Sequence, residues 1–315
     1  MTTSEYNPRS LAVRVALPGT CGELVQGTWE GIPCLVSCPI ERYSVAEVRS
    51  GGHSGWQLQP NSPKMRAALQ HGLTFLEQTT SSGSISVYSP LPQGRGYGSS
   101  TADIGATLYA LGHAFGQPLT PLEISALALQ VEPTDSSVFP DLALWDHRHG
   151  QLYETLGQPP ALTVVVLDPG GEVNTVAFNQ LDHRTALRKL APLHREAFQL
   201  LQDGLRQGDM AAIGTAATMS AEAHQAILPN ALLEPAIHLA REVGALGVCR
   251  AHSGTVVGLL LDPNRIEPGW VQSVAQQRLP AHICMFNLPL VAGGPRLLSA
   301  ERLDPQTVCA TAQLP

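Results

Sequence analysis

Hydrophobic positions fall into two rhythms along this chain. Residues 11–17 (LAVRVAL), 34–38 (CLVSC) and 43–49 (YSVAEVR) alternate or are rich in β-branched residues, and predict short strands. Pro18-Gly19 and Gly22 interrupt the pattern, so LPGTCGELVQG predicts a loop after the first strand. Over 62–78 the rhythm changes: Met65, Leu69, Leu73 and Leu76 recur at helical spacing. ISVYS at 84–88 predicts a further strand. From about Ser99 a helix is expected through Phe115, with Ile104, Leu108 and Leu111 on one stripe. Ser99 or Ser100 fits its N-cap, and Asp103 its first turn, where the helix dipole favours an acid. A helix over about 121–130 leads into VEPTDSSVFPD, which Pro133 and Pro140 keep irregular, and ALWDH and QLYETL predict a hairpin.

The apolar strand ALTVVVLD at 161–168 is expected to open a second domain. The Gly-Gln-Pro-Pro run at 157–160 marks the boundary, giving domains 1–160 and 161–315. Helices near 183–206, 209–225 and 231–243 follow. GALGVCRAHSGTVVGLLLD then predicts strand, glycine turn and strand, and AHICMFNL another strand. Residues after about 296 carry little pattern and are expected to be extended. The fold class is α+β.

Composition narrows the function classes. With 43% hydrophobic and 14% charged residues over 315 positions, the chain can bury a sizeable core. Its formal charge of −7 and the lack of any basic stripe argue against a nucleic-acid or anionic-membrane surface. No apolar run reaches the roughly 18 residues of a membrane span, and MTTSEYNPRS lacks the layout of a signal peptide, so a cytoplasmic protein is expected. Cys21, Cys34, Cys38, Cys249, Cys284 and Cys309 are too sparse for a disulfide scaffold. Cys34 and Cys38 make no zinc pattern without a second pair, so buried thiols are expected.

The segment Pro92-Gln-Gly94-Arg95-Gly96-Tyr97-Gly98-Ser99-Ser100-Thr101-Ala-Asp103 carries the clearest chemistry. Three alternate glycines let backbone approach a ligand, and three hydroxyl residues follow where a helix begins. Free N–H groups and the dipole at such a terminus suit a di- or triphosphate, and a serine hydroxyl there can ligate Mg²⁺. The bland alternative is a serine-capped turn with no ligand. A Walker loop is excluded, because its lysine is missing and neither Lys64 nor Lys189 lies nearby in sequence. A Rossmann turn is excluded by the Ser/Thr-rich helix start. Glu132 and Asp135, three apart in an irregular loop, supply two carboxylates of the sort phosphoryl transfer needs, or else simply end a helix and cap a turn.

Pro92-x-x-x-Gly96-Tyr97-Gly98-Ser99-Ser100-Thr101-Ala102 resembles the P-x-x-x-G-L-G-S-S-A-A loop of the galactokinase–homoserine kinase–mevalonate kinase–phosphomevalonate kinase (GHMP) superfamily, with Tyr97 and Thr101 as departures. Val15-Ala-Leu-Pro18-Gly19 is similar to its first motif, and Gly244-Ala-Leu-Gly247 with Ser253-Gly254 to its third. Cys21-Gly22-Glu23-Leu-x-Gln26-Gly27, Val36-Ser37-Cys38-Pro39 and Glu132-Pro-Thr-Asp135 resemble the L-threonine kinase branch, whose product enters the aminopropanol arm of adenosylcobalamin. The resemblance implies a two-domain fold: an N-terminal unit like ribosomal protein S5 domain 2 and a ferredoxin-like C-terminal unit. It further implies ATP and Mg²⁺, an L-threonine acceptor, and a monomer or homodimer. It assigns ATP to Pro92 and 94–101, Mg²⁺ to Ser100 and Glu132, and polarisation of the acceptor hydroxyl to Asp135. Cys21, Gly22, Glu23, Gln26, Ser37, His252, Ser253 and Gly254 are candidate substrate residues, although Glu23 and Gln26 could equally satisfy loop backbone. Arg95 could face a phosphate or solvent. His147 and His149 flank Arg148 in the hairpin turn, with no third ligand for a metal. Another superfamily kinase, such as homoserine kinase, or a silent nucleotide binder remains the alternative.

Overall fold

The computed structural model describes residues 11–52, 54–173 and 183–302. Its spine is the antiparallel pair β1 (Leu11–Trp29) and β2 (Ile32–Ser50). Register shifts at Pro18/Thr20, Thr20/Glu23 and Glu23/Val25 bulge β1 along its outer half. The loop expected after Pro18 is therefore a bulged strand. Bulges absorb a proline without an N–H and Gly22 at φ 58°, while pairing with β2 runs on to Trp29. The segments 34–38 and 43–49 likewise belong to one strand.

The remaining strands are β3 (Trp56–Gln59), β4 (Gly83–Tyr88), β5 (Leu142–Trp145), β6 (Tyr153–Gly157), β7 (Thr163–Asp168), β8 (Gly247–Arg250), β9 (Val257–Leu261), β10 (Cys284–Pro289) and β11 (Arg296–Arg302). They form one sheet in the order β10-β7-β9-β8-β1-β2-β4-β3, with β11 on β1 and the β5–β6 hairpin on β2. The helices are α1 (Pro63–Phe75), α2 (Ser99–Ala114), α3 (Pro121–Leu129), α4 (Arg184–Gln207), α5 (Met210–His224), α6 (Leu233–Val243) and α7 (Pro268–Arg278). Sequence patterning missed β3 and α7. β3 has four residues, and α7 buries only Val271 and Ala275, too few to set a period. Residues 296–302 form a strand paired with β1, a partner that local pattern does not reveal.

α2 is buried over most of its length against β1 and β2, and this pairing fixes its N-terminus. Val13, Val15, Leu17, Val36, Ile104, Leu108 and Leu111 share its core. A second core lies under α6 and α7, where Val165, Leu167, Ile237, Leu259 and Val271 meet. Between these layers the β8–β9 turn comes up against the bulged part of β1, with Glu23 paired to Arg250. No helix among the described residues is long and apolar enough to cross a membrane.

Candidate active site

The glycine loop between β4 and α2 is held by backbone. Thr20 N–H donates to Tyr97 C=O (2.9 Å) and Gly22 N–H to Gly96 C=O (3.0 Å), while Thr255 and Val256 N–H donate to Arg95 C=O at 2.9 and 3.0 Å. The loop is thus clamped between the β1 bulges and the β8–β9 turn. A Cβ on Gly96 would stand 2.0 Å from Ala251 Cβ, which explains the glycine. Gly98, at φ 61° and ψ 22°, is the N-cap of α2 and offers no side-chain cap. The expected serine cap is corrected: Ser99 and Ser100 are the first helical residues, and their N–H groups, with that of Thr101, precede the first intrahelical bond. Asp103 falls in the second turn instead, where Ser44 Oγ donates to it at 2.5 Å and burial pushes its carboxyl up.

Glu132, just beyond α3, accepts a hydrogen bond from the Ser100 hydroxyl. Its other oxygen accepts from Lys64 Nζ at 2.7 Å, and the same ammonium is 3.4 Å from Ser100 Oγ. Lys64 stands in the first turn of α1, which Ser62 caps by accepting from Met65 N–H at 3.2 Å. Two hard oxygens side by side at a helix N-terminus, already attracting a cation, fit Mg²⁺. Lys64 is a residue that sequence reasoning missed, since 36 positions separate it from Ser100.

Asp135 backbone N–H donates to Thr101 Oγ1 at 3.1 Å, which sets the carboxylate beside the helix start. A Cβ on Gly98 would come 2.8 Å from Asp135 Oδ2, so the acid overhangs the N-cap itself. Burial, reinforced by the charge of Glu23, pushes the Asp135 carboxyl up to about 7. Glu23 is 6% exposed and burial raises it to about 8, although its oxygen accepts from both His252 N–H and His252 Nδ1 at 2.9 Å. Behind it, His252 Nε2 meets Ser220 Oγ at 3.2 Å, and Ser220 Oγ accepts from Gln26 N–H at 3.0 Å. Burial and Arg250 keep His252 far below the ordinary histidine value, so it is neutral.

One cavity of about 610 Å³ unites these parts. Gly94, Gly96 and the run Tyr97–Thr101 line it, with Glu23, Gln26, Glu132, Asp135 and Ser253. Other candidates stand behind its wall. Arg95 turns away to pair with Asp168 at 3.2 Å, where Tyr97 OH also donates at 3.0 Å. Cys21 is fully buried beside Cys38 and Cys249, packed in the core. Ser37 exchanges hydrogen bonds with Ser136, Gly22 and Gly254 pack against neighbouring backbone, and Pro92 precedes the lining. His252 is buried behind Glu23, in contact with its carboxylate. Besides Lys64, the cavity wall gains Asp103, His147 and Arg148, which only tertiary pairing brings in. Among the described residues no cluster of three His, Cys, Asp or Glu is arranged to hold a metal, and Cys309 lies outside them.

Comparison with known proteins agrees with this architecture. The profile of the GHMP kinases N terminal domain matches residues 65–139, from α1 through the acid-bearing loop. The chain is 35% identical over 270 residues to the L-threonine kinase of Citrobacter freundii, spanning 84% of this chain and 92% of that protein. It is 32% identical over 285 residues to the L-threonine kinase of Salmonella typhimurium LT2, spanning 89% and 94%. The solved homoserine kinase of Cytophaga hutchinsonii superposes with a TM-score of 0.71 over 95% of this chain and all of that one. At 16% identity it speaks to the fold alone. The chain belongs to the GHMP kinase family.

Proposed function

We propose that this kinase moves the γ-phosphoryl group of ATP to the side-chain hydroxyl of L-threonine, releasing ADP and O-phospho-L-threonine. The observation that carries the reading is the single cavity in which the α2 N-terminus meets Glu132, Asp135 and Glu23, in a chain related along most of its length to L-threonine kinases. In this reading the N–H groups of 99–101 and the backbone of 94–98 bind the phosphates. Ser100 and Glu132 would hold Mg²⁺, which when bound neutralises phosphate charge. Lys64 adds a second positive charge at the same end.

Asp135 orients the threonine hydroxyl and takes its proton. The threonine oxygen forms the new O–P bond as the bond to the β–γ bridging oxygen breaks. A carboxyl raised to about 7 is well matched to accepting a proton near neutral pH. Glu23 faces the amino acid's ammonium, and His252 holds Glu23 in position. The proposal includes a division at 1–160 and 161–315, a monomer or homodimer in the cytoplasm, and a product destined for the aminopropanol arm of cobalamin. ADP release from Mg·ATP, measured with L-threonine, L-homoserine, L-serine, mevalonate and galactose, tests the acceptor. Turnover led by L-threonine supports the proposal, and turnover led by homoserine transfers the assignment to that alcohol.

A further inference from the structure

The turn between β5 and β6 is built more firmly than a hairpin needs. The fully buried carboxylate of Asp146 accepts from the backbone N–H groups of Arg148 (3.0 Å), His149 (3.1 Å) and Gln151 (3.1 Å). Thr134 N–H donates to His147 C=O at 3.0 Å, and Trp145 Nε1 donates to Thr134 C=O at 2.9 Å. The turn is thereby fastened to the very segment that carries Glu132 and Asp135.

Its two side chains reach the cavity wall. His147 is 7% exposed, and its Nδ1 is buried with no hydrogen-bond partner among the described residues. Such orphaned atoms are uncommon in folded proteins, and this one belongs to a residue of the cavity wall. Arg148 lines the main cavity and also a side recess of about 30 Å³ shared with Gln26, His194 and His224, which Lys64 and Ser100 do not reach. Among the described lining residues, Lys64 and Arg148 are the two permanent cations. Lys64 belongs to the phosphate end through Glu132. Arg148 lines the wall beside Gln26 and, unlike Lys64, the side recess as well.

We infer that Arg148 and His147 read the α-carboxylate of the acceptor, opposite Glu23 on its ammonium, and so confine the enzyme to α-amino acids. A planar guanidinium suits a carboxylate through two parallel hydrogen bonds, and a neutral imidazole adds a further donor. The inference rests on an amino-acid acceptor.

The test compares KM for L-threonine with KM for L-threoninamide, which keeps the ammonium and hydroxyl but lacks the carboxylate charge. Wild type should show a KM for the amide at least about tenfold higher, matching loss of a charge-assisted contact. In Arg148→Gln that ratio should fall to about one, with Arg148→Lys between and His147→Asn narrowing it in part. The stabilisation of each variant by the two compounds, read by thermal shift without ATP, should follow the same order and confirms that each variant is folded. An unchanged ratio in folded Arg148→Gln overturns the inference while leaving threonine phosphorylation intact. A wild type silent with L-threonine overturns the acceptor reading first, and this inference with it.

Discussion

The two ends of the cavity are made by different means. The end proposed for phosphate is mostly backbone: a clamped glycine loop and the first turn of a helix, within 94–101, with Lys64 and Glu132 added. The end proposed for the acceptor is mostly side chain: Glu23 from β1, Asp135 after α3, and His147–Arg148 from a hairpin turn, backed by His252 and Ser220. On the proposed reading, a contiguous loop binds the phosphates and side chains gathered from distant segments bind the acceptor.

The largest way to break this comparison is Asp135→Ala, which should lower kcat about 10²- to 10⁴-fold. KM for ATP should stay within a few fold, because the phosphate end is untouched; steady-state kinetics with both substrates varied will show it. Gly96→Ala attacks the other end. Its Cβ meets Ala251 at 2.0 Å and the residue has φ 93°, so loss of roughly 1–3 kcal/mol of stability is expected in urea melts, with a raised KM for ATP.

pH separates the ends further. A proton-accepting Asp135 should give kcat/KM for the acceptor a rising limb near pH 7, which Asp135→Asn abolishes. Stability should move in the opposite direction. Glu23, raised from 4.5 to about 8, binds its proton more tightly in the folded chain, so its contribution is lost as pH rises through that value. The buried histidines His224 and His252 are lowered, so their contribution is lost only below about 6.5. Thermal melts of Glu23→Gln against wild type should therefore remove the fall in stability with rising pH that Glu23 contributes between about pH 4.5 and 8, and leave the loss below about pH 4.5 unchanged.

The smallest effect is expected for Arg95→Gln. Arg95 turns to Asp168 rather than the cavity, so its loss should change KM for ATP less than threefold. A larger rise would return Arg95 to the phosphates.

Most of the glycine-loop end of the cavity was legible in sequence because its parts are local. Alternate glycines and a run of hydroxyls declare a close backbone approach and a helix start wherever they stand, and the helix of 99–114 follows its apolar stripe. The cap itself was misread, since a left-handed glycine stands before the serines and leaves the first N–H groups of the helix without a side-chain cap. Lys64, His147 and Arg148 were not legible as site residues. Each is an ordinary residue of a helix start or a turn until α1 and the hairpin dock beside α2. Cys21, drawn in by its neighbours in a shared string, alternates inward on the bulged strand and is core. The strand rhythm also concealed that 11–29 is one element, because bulges put proline and glycine where a loop is usually read.

The account turns on an L-threonine acceptor, and ³¹P NMR of a reaction containing Mg·ATP and L-threonine tests it most directly. The predicted result is a phosphomonoester resonance matching O-phospho-L-threonine that grows in step with ADP and is lost in Asp135→Ala. ATP hydrolysed to inorganic phosphate, or left unchanged, with no such ester would contradict it.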